Sequence, residues 1–204
     1  MAVTVTMLRA NMNDTIDSYL SRLRGTIDSL PADKLTRLGE MLFRAYDSEK
    51  QVFTLGNGGS ASTASHIAAD LAKNTIGPNM RRFRIASLND NTAILTALAN
   101  DLGYQNVFSE QLQNLIRPGD LLIAVSASGN SPNVIKAIRY AQSKSAEVVG
   151  LLGFDGGAAA RLADLAIVVD SKDYGVVEDT HLIINHILVE YFRKRLAEDQ
   201  PWVV

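Results

Sequence analysis

Val52-Phe53-Thr54-Leu55-Gly56-Asn57-Gly58-Gly59-Ser60 decides how this chain is read. Four strand-forming residues run into a glycine-rich turn, and a helical pattern opens at Ser60. A second stretch repeats the arrangement: Leu121-Leu122-Ile123-Ala124-Val125 runs into Ser126-Ala127-Ser128-Gly129-Asn130-Ser131. A strand that ends in small residues and turns straight into a helix leaves backbone N–H groups free at the positive end of the helix dipole. That place suits an anion, above all a phosphate. Two such loops, one rich in glycine and one in serine, predict a phosphorylated small molecule held at the carboxyl edge of a parallel sheet.

Outward from these loops, short apolar runs alternate with amphipathic ones. Strands are expected at Val52–Leu55, Phe83–Ser87, Leu121–Val125, Val148–Leu152 and Ala166–Val169, each a short apolar run, as strands buried on both faces should be. Helices are expected at Ser60–Lys73, Asn91–Leu98, Gln105–Ile116, Pro132–Ser143, Gly157–Leu162 and Val177–Leu196. Pro132 suits a first helical turn, with Asn130 or Ser131 as its cap. Regular alternation with short loops implies right-handed crossovers, hence a doubly wound α/β sheet. In such sheets ligands bind beyond the carboxyl ends of the strands, where both loops lie.

Residues 1–50 read as a helical pair. Ile16, Leu20, Leu23, Ile27 and Leu30 make a narrow heptad-like seam, broken by Pro31. Asp33 can cap a second helix carrying Leu35, Leu38, Met41, Leu42 and Tyr46. The seam either covers the sheet or packs against the same seam of another subunit. The unit that follows looks complete without it, which favours the second. One domain over 1–204, with 1–50 as a helical extension, accounts for the whole chain.

The bulk properties narrow the partners. A formal net charge of −2 over 204 residues gives no electrostatic reason to expect nucleic acid or an anionic membrane. Without cysteine there are no disulfides and no thiolate metal sites. No apolar run reaches the roughly 18–20 residues a bilayer span needs, and the polar start lacks a signal-peptide core. A cytoplasmic protein is expected.

Gly56-x-Gly58-x-x-Ala61 also satisfies a loose dinucleotide pattern, but the acidic residue expected after the next strand is missing from Ala86-Ser87-Leu88-Asn89. No Gly-Lys-Ser/Thr follows the glycines, against a nucleoside triphosphate. The serine loop favours a compact phosphate monoester, since Ser126, Ser128 and Ser131 offer hydroxyls as well as N–H groups. Turn chemistry alone would be the rival explanation of that loop.

The three histidines fall in two segments that also carry carboxylates. His66 and Asp70, four apart, share a face of the helix opened by the first loop. His181 and His186 lie near Glu178 on the last helix, which is apolar nearly all round and expected to be deeply buried. Asp70 and His186 can form an acid/base pair; His66, Asp70, Glu178 and His186 can instead offer N/O ligands to a zinc-like ion. Glu178 and His186 are eight apart, about 12 Å along a continuous helix, so one ion reaches both only if the helix begins near Glu178 or bends.

Gly56-Asn57-Gly58-Gly59-Ser60-Ala61, His66 to Leu71, Ala99-Asn100-Asp101-Leu102-Gly103-Tyr104, Ser126 to Ser131, Asp155-Gly156-Gly157 and Glu178 through Leu188 resemble, in order, the sugar isomerase (SIS) domain of bacterial phosphoheptose isomerases. The resemblance implies a five-stranded parallel sheet between helices, assembled as a homotetramer with sites near subunit boundaries. It implies conversion of sedoheptulose 7-phosphate to a manno-heptose 7-phosphate, with no nucleotide or flavin. Asn57, Gly58, Gly59, Ser60, Ser126, Ala127, Ser128 and Ser131 would hold the phosphosugar, with Asn100, Asp101 and Glu178 contacting it. Asp70 and His186 would be the acid/base pair, and in zinc-binding members the ligand positions fall on His66, Asp70, Glu178 and His186. The family usually has glutamate at Asp70, glutamine at Glu178, threonine at Ala127, arginine at Asn74 and aspartate at Gly175, where Asp173 is the nearest substitute. A non-catalytic adaptor like a replication-initiation regulator of the same family, and an isomerase of another sugar phosphate, are the competing readings.

Overall fold

The computed structural model describes residues 11–77 and 81–197; the start of the expected extension, residues 1–10, lies outside them. Two helices, α1 (Met12–Asp28) and α2 (Ala32–Asp47), precede the first strand. Then come β1 (Val52–Leu55), α3 (Gly59–Lys73), β2 (Ile85–Ser87), α4 (Thr92–Leu102), a 3₁₀ turn (Tyr104–Asn106) and α5 (Val107–Leu115). The chain ends β3 (Leu121–Ser126), α6 (Pro132–Ser143), β4 (Glu147–Leu152), α7 (Gly157–Leu162), β5 (Leu165–Val168) and α8 (Tyr174–Ala197). All five strands pair in parallel, in the order β2-β1-β3-β4-β5. The expected α/β class, a five-stranded parallel sheet flanked by helices with an N-terminal helical pair, is what the chain forms.

Side-chain alternation divides the core into two layers. On β3, Leu121, Ile123 and Val125 face a cluster with Leu38 and Leu42 of α2, Ile67 and Leu71 of α3, and Ile184 and Phe192 of α8. Leu122 and Ala124 face the other cluster, with Phe108 and Leu112 of α5 and Val134 and Ile138 of α6. A period of two on a strand covered on both sides explains why β3 is apolar on both faces from Leu121 to Val125. β1 and β3 are neighbours, yet α3 packs on one face and α6 on the other. The strand order reverses there, which opens a crevice between the loops that follow those two strands.

Several local expectations shift. Phe83 leaves the strand and turns into the core, its ring 4.9 Å from Tyr46 and 5.0 Å from Phe192, so β2 starts two residues later. The Gln105–Ile116 helix divides into the 3₁₀ turn and α5. Pro31, rather than Asp33, holds the N-cap position of α2. Ser131 caps α6 by position, but its hydroxyl makes no cap bond. Asp173 starts α8 early, accepting from Gly175 N at 2.9 Å.

α8 is not buried all round: Ile187 is 44% exposed and His186 faces out. α1 turns its polar side to α8, through Tyr19 Oη donating to Asp179 at 2.6 Å and Arg22 to Asp173 at 3.2 Å. The N-terminal part of its apolar seam therefore points to solvent, with Ile16 46% exposed. No helix among the described residues is long and apolar enough to cross a membrane.

Candidate active site

The glycine loop is held rigidly between its neighbours. Gly58, at the N-cap of α3, has φ +57 and ψ −126, a conformation essentially closed to other residues. Asn89 clasps the loop from behind, donating to Gly56 O at 2.9 Å and accepting from Gly56 N at 3.1 Å. Asn57 exchanges two amide hydrogen bonds with Asn133 at the start of α6, of 2.9 and 2.8 Å, and accepts from Tyr104 Oη at 2.9 Å. These bonds join the heads of α3 and α6 across the crevice. The side chain of Glu178 lies against the first residue of α3, where a Cβ on Gly59 would run into both of its carboxylate oxygens.

The serine loop is fastened to the β4–α7 connection instead. Gly129 has φ +61, and a Cβ there would collide with the Gly156 carbonyl. Gly153 N donates to Ala127 O at 3.0 Å, Ala159 N to Gly129 O at 2.9 Å, and Ala158 N to Asn130 Oδ1 at 2.9 Å. Ser126 and Ala127 are buried, the Ser126 hydroxyl accepting from Gly129 N at 3.1 Å. Ser128 and Ser131 are the half-exposed members, while Ser60 is buried in the first turn of α3. Asn100 and Asp101 sit exposed at the end of α4, joined by a 2.8 Å bond.

A separate cluster lies further along α3 and α8. Asp70 Oδ2 is 3.2 Å from His66 Nε2 and 3.7 Å from His186 Nε2. The two imidazoles meet edge to face at 5.4 Å. The carboxylate is 13% exposed between them. Asn74 Nδ2 donates to Asp70 Oδ1 and Asn185 Nδ2 to Oδ2, both at 2.8 Å. The cluster opens into a cavity of about 810 Å³ that is also lined by Glu190 and Arg193, four and seven residues after His186 on α8.

Glu178 does not join this cluster. α8 runs from Tyr174 to Ala197 without a break, so the eight residues to His186 leave it about 12 Å away along the axis. Among the described residues the four-residue ligand set expected from the resemblance is therefore a set of three, His66, Asp70 and His186, whose ligand atoms lie within 4.8 Å of one another. Two imidazoles and a carboxylate oxygen suit a borderline divalent cation and leave positions open for a substrate oxygen.

His181 belongs to the core. It is fully buried, with Nε2 3.1 Å from Leu152 O. A carbonyl only accepts, so Nε2 carries the proton and Nδ1 is a bare acceptor without a partner. Burial pushes its pKa down to about 4, against a smaller opposing effect from the Leu152 bond. Asn185 Oδ1 is likewise buried without a partner, at a cost of about 1–3 kcal/mol.

Sequence reasoning missed Asn74, Asn89, Asn133, Tyr104 and Asn185. Only Asn74, four residues after Asp70 on one helix face, carried a readable signal.

Comparison with known proteins places the fold in a family. The SIS domain model matches residues 15–153. The phosphoheptose isomerase of Geotalea daltonii is 39% identical over 163 residues, 80% of this chain and 84% of that one. That of Pelobacter propionicus is 36% identical over 188 residues, covering 91% and 99%. The structure of phosphoheptose isomerase from Neisseria gonorrhoeae superposes with a TM-score of 0.82 at 27% identity, over 90% of this chain and all of that one. A model match over more than half the chain, and relatives this similar over most of their length, mean that the chain belongs to the phosphoheptose isomerase family of SIS-domain proteins.

Proposed function

We propose that this chain is an aldose–ketose isomerase that converts sedoheptulose 7-phosphate to D-glycero-D-manno-heptose 7-phosphate. The observation that carries the reading is the Asp70 carboxylate lying 3.7 Å from His186 and opening into a cavity. Isomerisation needs a base for the proton on C1 of the ketose and a donor for the C2 carbonyl oxygen. Asp70 and His186 divide that work: one takes the C1 proton while the other protonates O2, giving the enediol. A proton then returns to C2 as O1 loses its own, leaving the aldose with no net redox change. Proton transfers of this kind are worth about 10²–10⁴-fold each. A divalent cation such as zinc, when bound by His66, Asp70 and His186, supplies the carbonyl polarisation that the imidazole otherwise provides.

Asn57, Gly58, Gly59, Ser60, Ser126, Ala127, Ser128 and Ser131 form the phosphate cradles, chiefly through backbone N–H groups and the half-exposed hydroxyls of Ser128 and Ser131. Asn100, Asp101 and Glu178 contact the sugar. Gly59 and His66 are seven residues apart on α3, about 10 Å along its axis. That separation is what a substrate chain between the cradle and the acid/base pair has to span; the solvent-facing seam of α1 supports a homotetramer with sites near subunit boundaries. We read 1–204 as one SIS domain with 1–50 as a helical extension, working in the cytoplasm in heptose biosynthesis. An ionisable carboxylate facing an imidazole disfavours a non-catalytic adaptor.

The test is to incubate the purified protein with C5, C6 and C7 ketose phosphates, with and without chelator, and follow aldose formation. The C7 substrate is expected to turn over fastest. Asp70→Asn is expected to abolish turnover, a loss of about 10³-fold or more, while phosphosugar binding survives. Turnover retained in that variant, or a preference for a pentose or hexose phosphate, overturns the reading.

A further inference from the structure

Asn185 is fully buried on α8, as is Ile184, and Leu188 and Val189 on the same helix are buried too. Half of its amide is used, Nδ2 donating to Asp70 Oδ2 at 2.8 Å, and half is not, Oδ1 having no partner. The orientation is forced. A carboxylate only accepts from an uncharged amide, so the NH₂ faces Asp70 and the carbonyl faces away. An orphan carbonyl in apolar surroundings lowers stability, whereas an apolar side chain of the same shape would carry no such cost. The one bond Asn185 makes, to the Asp70 carboxylate, offsets that cost, so the residue contributes little net stability.

The compensation lies in where the bond goes. The other contacts that orient Asp70, from His66 and Asn74, come from its own helix, four residues before and four after. The Asn185 bond crosses from α8 to α3. It leaves the residue next to His186, the imidazole that the carboxylate must face. His186 itself stands 3.7 Å from Asp70, too far to hold it. A carboxyl group turns easily about its last torsion, so a donor fixed on the opposing helix sets both its rotation and its distance from the imidazole.

We propose that Asn185 is a positioning residue for the isomerisation: its amide clasps α3 to α8 at the Asp70 carboxylate and sets the geometry of the Asp70–His186 pair, with little net gain in stability. The proposal rests on the reading of Asp70 as the carboxylate that moves the proton.

Asn185→Leu keeps the volume and removes the donor. With sedoheptulose 7-phosphate as substrate, kcat is expected to fall about 10–100-fold, with KM within about threefold because the phosphate loops are untouched. In a thermal melt Tm is expected to stay within about 2 °C of the parent, because the lost bond to Asp70 is offset by removal of the orphan carbonyl. A large loss of turnover at nearly unchanged stability is what a merely structural asparagine would not give. Asn185→Ser, which cannot reach Asp70, should show the same kcat loss and keeps the test available if leucine does not fit. A kcat within twofold of the parent in either variant overturns the proposal, as does a fall of Tm and kcat together with a matching rise of KM. Asp70→Asn run alongside separates the two claims: if it is inactive while Asn185→Leu is fully active, only the positioning role fails. If Asp70→Asn is active, the reading beneath it fails.

Discussion

His181 and His186 are five residues apart on α8, about 140° around the helix from one another, and almost nothing about them is shared. His181 points into the sheet, bonded to the end of β4, fully buried and held neutral. His186 has a side chain 57% exposed and looks across to Asp70 and His66 on α3. Helix phase, rather than residue type, assigned one imidazole to the fold and the other to the chemistry. A helix that serves as both core and site wall has to carry polar groups on two faces, and α8 does so with a polar group on each.

The comparison is most sharply broken by exchanging the two roles' side chains for glutamine. His186→Gln is expected to lower kcat by about 10²–10⁴-fold, measured as aldose formation, with Tm unchanged because the ring buries little. Comparable turnover in that variant would place the chemistry elsewhere. His181→Gln should leave turnover near the parent value and act on acid stability instead. The folded protein holds His181 at about 4 and the unfolded chain at its ordinary 6.5. Between those values the unfolded state binds the extra proton, so stability rises with pH. The contribution of the neutral ring is complete above pH 6.5 and is lost as the pH falls towards 4, a span worth about 3 kcal/mol. Glutamine keeps a donor for Leu152 O and cannot take up that proton. Urea unfolding at pH 7, 5.5 and 4.5 should therefore show a flatter acid limb in His181→Gln, and an unchanged limb would mean another group sets it.

Much of the architecture was legible because a strand covered on both faces has a plain signature, an unbroken apolar run between turns. β1, β3, β4 and β5 fell within one residue of their expected ends. β2 did not, since Phe83 is as apolar as a strand residue but is used to fill the corner between α2 and α8. The two cradles were visible as strand–loop–helix junctions, and the His66–Asp70 pair as a four-residue spacing on one face. The asparagines were not. Asn89, Asn133 and Asn185 each bond to a residue distant in sequence, and an amide has no spacing rule that announces a partner more than 30 positions away. The overall apolar character of α8 also misled, because it hid which stripe faced the core and which faced Asp70.

Glu178 stands on the same stretch of helix, and it follows neither histidine. Its carboxylate lies beside Gly59 at the positive end of α3, where an anionic ligand is expected to bind. There it neutralises part of the field that the cradle offers to a phosphate. Glu178→Gln keeps the shape and removes the charge, so phosphosugar binding should tighten modestly, KM falling about two- to fivefold, as expected for one unit charge in a partly solvated loop. The effect should shrink as salt is raised, since the group is half-buried. Affinity for a divalent cation should not change, because Glu178 stands about 12 Å along α8 from His186. A large loss of metal affinity in Glu178→Gln, measured by chelator competition, would instead bring this carboxylate back among the ligands and require α8 to bend when the ion is bound.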